Sequence, residues 1–154
     1  MIRQAAYSVL AAIAAGAIVM NAAEPSQSPA VAVAKARILV HVTHGPEHAT
    51  RAALAFLVAR TAIEQGHPVS LFLAGDAVQL LRDATLDAVS GVGTGKLREH
   101  YDAIVKGGGR FYLSGMSGQA RGVTAAELAG KPAELAPPAV LLKLALEHDR
   151  MFTY

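Results

Sequence analysis

The sequence predicts an α/β domain built on a parallel sheet with helices on both faces. Segments rich in β-branched and apolar residues alternate with segments whose apolar residues recur at helical spacing. The first of these segments, residues 37–43, is apolar on both faces, as a central parallel strand is. The chain has 154 residues, 53% of them hydrophobic and 17% charged, which suits one packed domain and excludes a disordered chain.

The first half of the domain contains two strands and two helices. Pro46, directly after Gly45, predicts a helix start, and Gly66 predicts the end of that helix. Residues 68–73 then have the composition of a second strand. A short helix is predicted over residues 77–82, following Asp76.

The second half continues the alternation with shorter elements. In chain order these are a glycine-rich loop over residues 91–95, a helix over 96–106, a third strand over 110–114, a loop over 117–122, a short helix over 124–128, a strongly apolar helix over 138–147 and a last strand over 151–154. Strands separated by helices pair in parallel, which supports the predicted sheet.

The N-terminal segment has the pattern of a secretory signal peptide. Arg3 precedes an uncharged run over residues 5–20, and small residues follow it. We expect a signal peptide over residues 1–23, a flexible linker over 24–34 and the domain over 35–154, in a periplasmic or secreted protein. The apolar run is shorter than the roughly 20 residues that span a membrane, so no span is expected after cleavage. The alternative is an uncleaved N-terminal anchor.

Composition excludes several functions. Cysteine is absent, so the chain has no disulfide and no thiol chemistry of its own. The formal charge is only +2, with scattered Lys and Arg, so we expect no nucleic-acid partner. The segment Gly91–Lys96 is unlike a phosphate-binding loop because its glycine spacing is short and Leu97 stands where a hydroxyl residue belongs. We expect no cofactor.

The predicted ligand site lies at the carboxyl ends of the strands, where parallel sheets bind ligands. The residues predicted to form this site are His44, Asp76, Ser114, Met116 and Arg121. The glycine-rich segment 114–122 is either an anion-binding nest completed by Arg121 or a plain loop whose Arg121 faces water.

Two other chemistries remain open at these strand ends. A serine hydrolase would use Ser114 or Ser117 as the nucleophile and His44 or His48 as the base. A metal-binding module would use His44, His48 and Asp76, although a strand–loop–helix spacing does not fix two histidines on one face.

The order of these segments resembles the DsrE/DsrF-like sulfur-relay family over roughly residues 37–154. The segments that carry the resemblance are Ile38-Leu39-Val40, Gly45-Pro46-Glu47, Gly66-His67, Val69 to Leu73 with Asp76, Phe111-Tyr112-Leu113, Arg121-Gly122-Val123 and Met151 to Tyr154. The resemblance implies a flavodoxin-like, three-layer α/β/α domain with a mostly parallel sheet. It also implies a homo-oligomer, a trimer or hexamer, in which the apolar helix over 138–147 is partly interface or is buried within the monomer.

The chain departs from this family at the residue that carries sulfur. The resemblance places the family's cysteine eight residues before the glycine of the Arg-Gly pair, and Ser114 stands there. A serine hydroxyl cannot carry sulfane sulfur, and it is not a nucleophile without a neighbouring base. We therefore expect a noncovalent module rather than an enzyme, binding a small anionic or sulfur-containing ligand or a protein partner.

Overall fold

A five-stranded parallel sheet forms the centre of residues 34–154, which are the residues that this computed structural model describes. The predicted signal peptide and the linker up to residue 33 lie outside the described residues. The strands are β1 (Ile38–Val42), β2 (Val69–Leu73), β3 (Ser90–Gly91), β4 (Gly95–Lys96), β5 (Arg110–Ser114), β6 (Ala133–Ala136) and β7 (Arg150–Thr153). The helices are α1 (Ala49–Glu64), α2 (Asp83–Ala88), α3 (Leu97–Lys106), α4 (Gly115–Ala120) and α5 (Pro138–Glu147), with 3-10 turns at Pro46–His48, Gly75–Leu81 and Ala125–Leu128.

The sheet has the strand order β6-β5-β2-β1-β7, and all its pairings are parallel. The chain adds β2, β5 and β6 on one side of β1 and then crosses to add β7 on the other side. The predicted three-layer α/β/α class is confirmed, with an order that departs from the 2-1-3-4-5 order of flavodoxin itself. β3 and β4 form a separate antiparallel hairpin.

The two faces of the sheet are covered unequally. One face packs against α1 and α3 in the main core, where Phe56, Phe111 and Ile104 are fully buried. The other face packs against α5 in a smaller cluster formed by Leu39, Phe72, Ala136 and Leu144. Apolar side chains that alternate along β1, β2 and β5 supply both cores, as the period-two pattern of a strand requires.

Two elements, α4 and β6, differ from the sequence prediction, and contacts with neighbouring residues explain both. The loop predicted over 117–122 is wrong, because residues 115–120 form α4. Strand β6 was not predicted, since Ala133–Ala136 is poor in β-branched residues and pairs only because it lies beside β5. No helix among residues 34–154 has the length and apolarity needed to cross a bilayer.

Candidate functional site

The residues at and just after the carboxyl ends of β1, β2 and β5 define the region that we call the strand-end surface. It contains all five residues predicted from the sequence, and these are His44, Asp76, Ser114, Met116 and Arg121. Two glycines allow the turns to approach. A Cβ on Gly45 would lie 2.5 Å from the Asp76 carbonyl oxygen, and Gly75 adopts a φ of 57°.

The Asp76–Arg121 ion pair ties two turns of the strand-end surface together. Arg121 Nε donates to Asp76 Oδ1 at 2.7 Å, across 45 residues of sequence. This hydrogen bond holds the pKa of the Asp76 carboxyl below its usual value. Arg82 donates to the Arg121 carbonyl oxygen at 2.9 Å and also pairs with Glu127. The Arg121 charge is therefore already paired and fixed in position.

Ser114 caps α4, the helix that replaces the predicted loop. Its hydroxyl oxygen accepts the Ser117 N–H at 3.3 Å, and the Ser117 hydroxyl oxygen accepts the Gly75 N–H at 3.0 Å. The N–H groups of Ser117, Arg121 and Gly122 all bond within the segment 114–122. These three N–H groups are therefore not available to an anion. Met116, at the first turn of α4, is 71% exposed.

His44 is held by a neighbouring guanidinium. Arg51 donates to His44 Nε2 at 2.9 Å, and Thr43 Oγ1 lies 3.3 Å from His44 Nδ1. Because a guanidinium only donates, Nε2 is the accepting nitrogen and Nδ1 carries the proton. The lone pair that a general base or a metal ligand needs is thus occupied by Arg51.

The structure brings His44 and His48 together but does not complete a catalytic or metal-binding set. Their ring centroids lie 5.0 Å apart in an edge-to-face arrangement. Within the described part of the chain, no three His, Cys, Asp or Glu side chains are placed to hold a metal ion. Over the same residues, neither Ser114 nor Ser117 is hydrogen-bonded to an imidazole.

His41 lies mid-strand on the face that α5 covers, 6.1 Å from the ring of Phe72. Its Nε2 is buried and has no hydrogen-bond partner among residues 34–154. Burial lowers the pKa of His41 below its ordinary value of 6.5. The unfolded chain therefore takes up a proton as the pH falls through about 6.5, while the folded protein resists it.

We therefore expect the free energy of unfolding to fall between pH 7.5 and pH 5.5. Urea unfolding followed by circular dichroism measures this change in wild type and in His41→Gln. The variant should show a smaller decrease, because it removes a group that binds more protons unfolded than folded. Paired carboxylates whose pKa is lowered, such as Asp76, take up their protons below pH 5.5 and therefore do not contribute to the change over this pH range. An equal decrease in the two proteins would show that His41 is not responsible.

Sequence reasoning did not predict which residues hold the site in place, although Ser117 was named as a candidate nucleophile. Arg51, Arg82 and Ser117 act through contacts spanning 7 to 45 residues, which no local pattern reveals. One signal was available in the sequence: Thr124 and Glu127 have capping-box spacing, and this box fixes the carboxylate that pairs with Arg82.

The cavities described for residues 34–154 include four of 170 to 580 Å³. Not one of these four is lined by Asp76, Ser114, Met116 or Arg121.

Comparisons with known proteins agree with this architecture. The model of the DsrE/DsrF-like family matches residues 36–154. The crystal structure of the YchN protein from E. coli superposes with a TM-score of 0.61 at 17% identity, covering 77% of this chain and 99% of that chain. A conserved protein of unknown function from Bacteroides thetaiotaomicron, BT1422, gives 0.56 at 11% identity, with 77% and 94% covered. No curated protein matches the chain.

Proposed function

Because the chain belongs to the DsrE/DsrF-like family yet contains no cysteine, we propose that it is an exported, noncovalent binding module whose strand-end surface docks a protein partner. The observation that carries this proposal is Met116. It is a long, flexible apolar side chain, 71% exposed, two residues after Ser114, which the family resemblance places at the cysteine position. The Asp76–Arg121 pair lies at the same surface.

The geometry favours a protein partner over a small anion at this surface. Arg121 is already neutralised by Asp76 at 2.7 Å, so it attracts a further anion only weakly. An apolar side chain beside a charged pair is typical of a protein interface, which has an apolar centre and a polar rim. The partner should therefore offer an apolar side chain to Met116 and polar groups to Asp76 and Arg121. A small anionic or sulfur-containing ligand is the alternative.

The mass of the protein recovered from an export-competent host tests the noncovalent claim. Under denaturing conditions we expect the mature chain, beginning near Glu24, without a covalent adduct, because no thiol is present to carry sulfur. Treatment with an organophosphonate should leave both site serines unlabelled. A covalent sulfur adduct, or stoichiometric labelling of Ser114 or Ser117, would overturn the proposal, and the labelling would favour the hydrolase.

The exposed side of α5 suits contact with further copies of the chain. Leu142 and Leu146 are 63% and 79% exposed and one turn apart, and each is followed directly by a charged residue, Lys143 or Glu147. Exposed apolar side chains that adjoin one another on a surface can form the apolar centre of a protein–protein contact. We propose a homo-oligomer, a trimer or hexamer, that buries these leucines.

Replacing Leu142 and Leu146 with lysine should lower the number of subunits measured by native mass spectrometry. If the trimer or hexamer persisted, six lysines or more would lie in an apolar contact. Unpaired buried charges are costly, so the assembly should dissociate. Val92→Lys is the control, since Val92 is 88% exposed and lies on the hairpin. It should leave the subunit number unchanged. A monomeric wild-type protein, or a double variant with the wild-type subunit number, would contradict the proposed interface.

A further inference from the structure

An open cavity of about 580 Å³ lies between the turn that follows β1 and the end of β7. Its lining includes Glu47, His48, Thr50, Arg51, Leu54 and Tyr154. The strand order reverses between these two strands, because β2, β5 and β6 lie on one side of β1 and β7 lies on the other. The crevice at the carboxyl ends of strands beside such a reversal is where open α/β sheets bind ligands.

Arg51 gives this cavity a positive charge that no carboxylate pairs with directly. Its described partner is the ring of His44, and among residues 34–154 no carboxylate lies within ion-pair distance of its guanidinium. The nearby carboxylate of Glu47 accepts the Gly45 N–H at 2.8 Å. A guanidinium has five N–H donors, so the bond to His44 leaves others available to a ligand.

The remaining lining residues complete a small-molecule site. Thr50 Oγ1 accepts the Val92 N–H at 3.1 Å, which leaves the hydroxyl proton of Thr50 free to donate. Leu54 is 37% exposed and supplies an apolar wall. The cavity thus holds the Arg51 cation, the Glu47 carboxylate, the Thr50 hydroxyl and an apolar wall. A cavity of this size with a few polar groups and an apolar wall is typical of sites for small organic molecules.

We propose that this cavity binds a small organic anion, a carboxylate, sulfonate or phosphate monoester. Its anionic group would bond to Arg51 and its body would lie against Leu54. Arginine suits this role because its planar donors match the oxygens of such groups. Asp76, Ser114, Met116 and Arg121 do not line this cavity. The proposed anion site therefore does not depend on the docking of a protein at Met116.

Calorimetric titration with two aromatic anions, phenyl phosphate and benzenesulfonate, tests this site in the purified protein. Benzamidine, a cation of similar size, and benzyl alcohol, a neutral analogue, are the ligand controls. Both anions should bind saturably and more tightly than either control. Arg51→Gln should weaken them about tenfold or more, as expected for the loss of a charge-assisted hydrogen bond.

Two further variants make the result specific. Arg60→Gln removes a charge from the same helix, where Arg60 pairs with Glu64 at 2.6 Å, and should leave the affinity within about twofold of wild type. Arg51→Lys keeps the charge and should bind with an intermediate affinity. Three results would each overturn the site: no saturable binding of either anion up to about 10 mM, equally tight binding of benzamidine, or an unchanged affinity in Arg51→Gln.

Discussion

Replacing Phe111 with alanine is expected to lower the free energy of unfolding by about 3–5 kcal/mol. Phe111 is only 1% exposed and lies on β5, the strand that leads to Ser114. Its ring packs 5.8 Å from Phe56 of α1 and 5.3 Å from Tyr101 of α3. The truncation would leave a cavity where the sheet meets both helices, and a packed core cannot relax to fill it completely.

Phe152→Ala is the matched control for this prediction. It removes the same side chain from β7, where Phe152 is 43% exposed, and should cost about 1 kcal/mol or less. Urea unfolding by circular dichroism, at one protein concentration for all variants, measures both losses. Equal losses in the two variants would contradict the assignment of Phe111 to the main core.

Gly45→Ala is expected to destabilise the protein by about 1–3 kcal/mol and to disturb the strand-end surface. The new Cβ would lie 2.5 Å from the carbonyl oxygen of Asp76 and 2.7 Å from its carbonyl carbon. These are backbone atoms, so the turn that carries Asp76 has to move. Gly45 has a φ of −96°, so the effect comes from close approach and not from a conformation that only glycine adopts.

Gly115→Ala is the control for the same substitution at the strand ends. A Cβ on Gly115 would meet its nearest neighbour, the Ala136 carbonyl oxygen, at an ordinary contact distance of 3.6 Å. Its stability should stay within about 0.5 kcal/mol of wild type. The same unfolding measurement compares the two variants. A Gly45→Ala protein as stable as Gly115→Ala would show that the two turns do not approach each other this closely.

The sequence predicts the long elements well because the spacing of their apolar side chains identifies both the type of element and the face that it buries. The apolar strands β1, β2 and β5 and the helix α5 occur where they are expected. Elements that depend on neighbours are not predicted in this way. Strand β6 takes its extended form from pairing with β5, and α4 forms despite Gly115 and Gly118 because Ser114 caps it.

That a ligand binds at the strand ends stays a prediction, but the structure does place some of the candidate residues near one another. Asp76 and Arg121 form an ion pair, and Gly45, the neighbour of His44 in sequence, lies against the backbone of Asp76. The partners of these residues follow from the folded structure alone. Arg121 was expected either to complete an anion-binding nest or to face water, and it pairs with Asp76, while the lone pair of His44 is occupied by Arg51. A list of residue types cannot show that these groups satisfy one another.

Site-specific photo-crosslinking in the source organism tests the central claim, that the strand-end surface docks a protein partner. A photoreactive amino acid replaces Met116 in one variant and Val92, 88% exposed on the hairpin, in the control. We predict a discrete adduct with a different protein from position 116 and not from position 92. The adduct should weaken when Arg121→Gln breaks the pair with Asp76. No adduct from position 116, the same adducts from both positions, or adducts with further copies of this chain alone would contradict the claim.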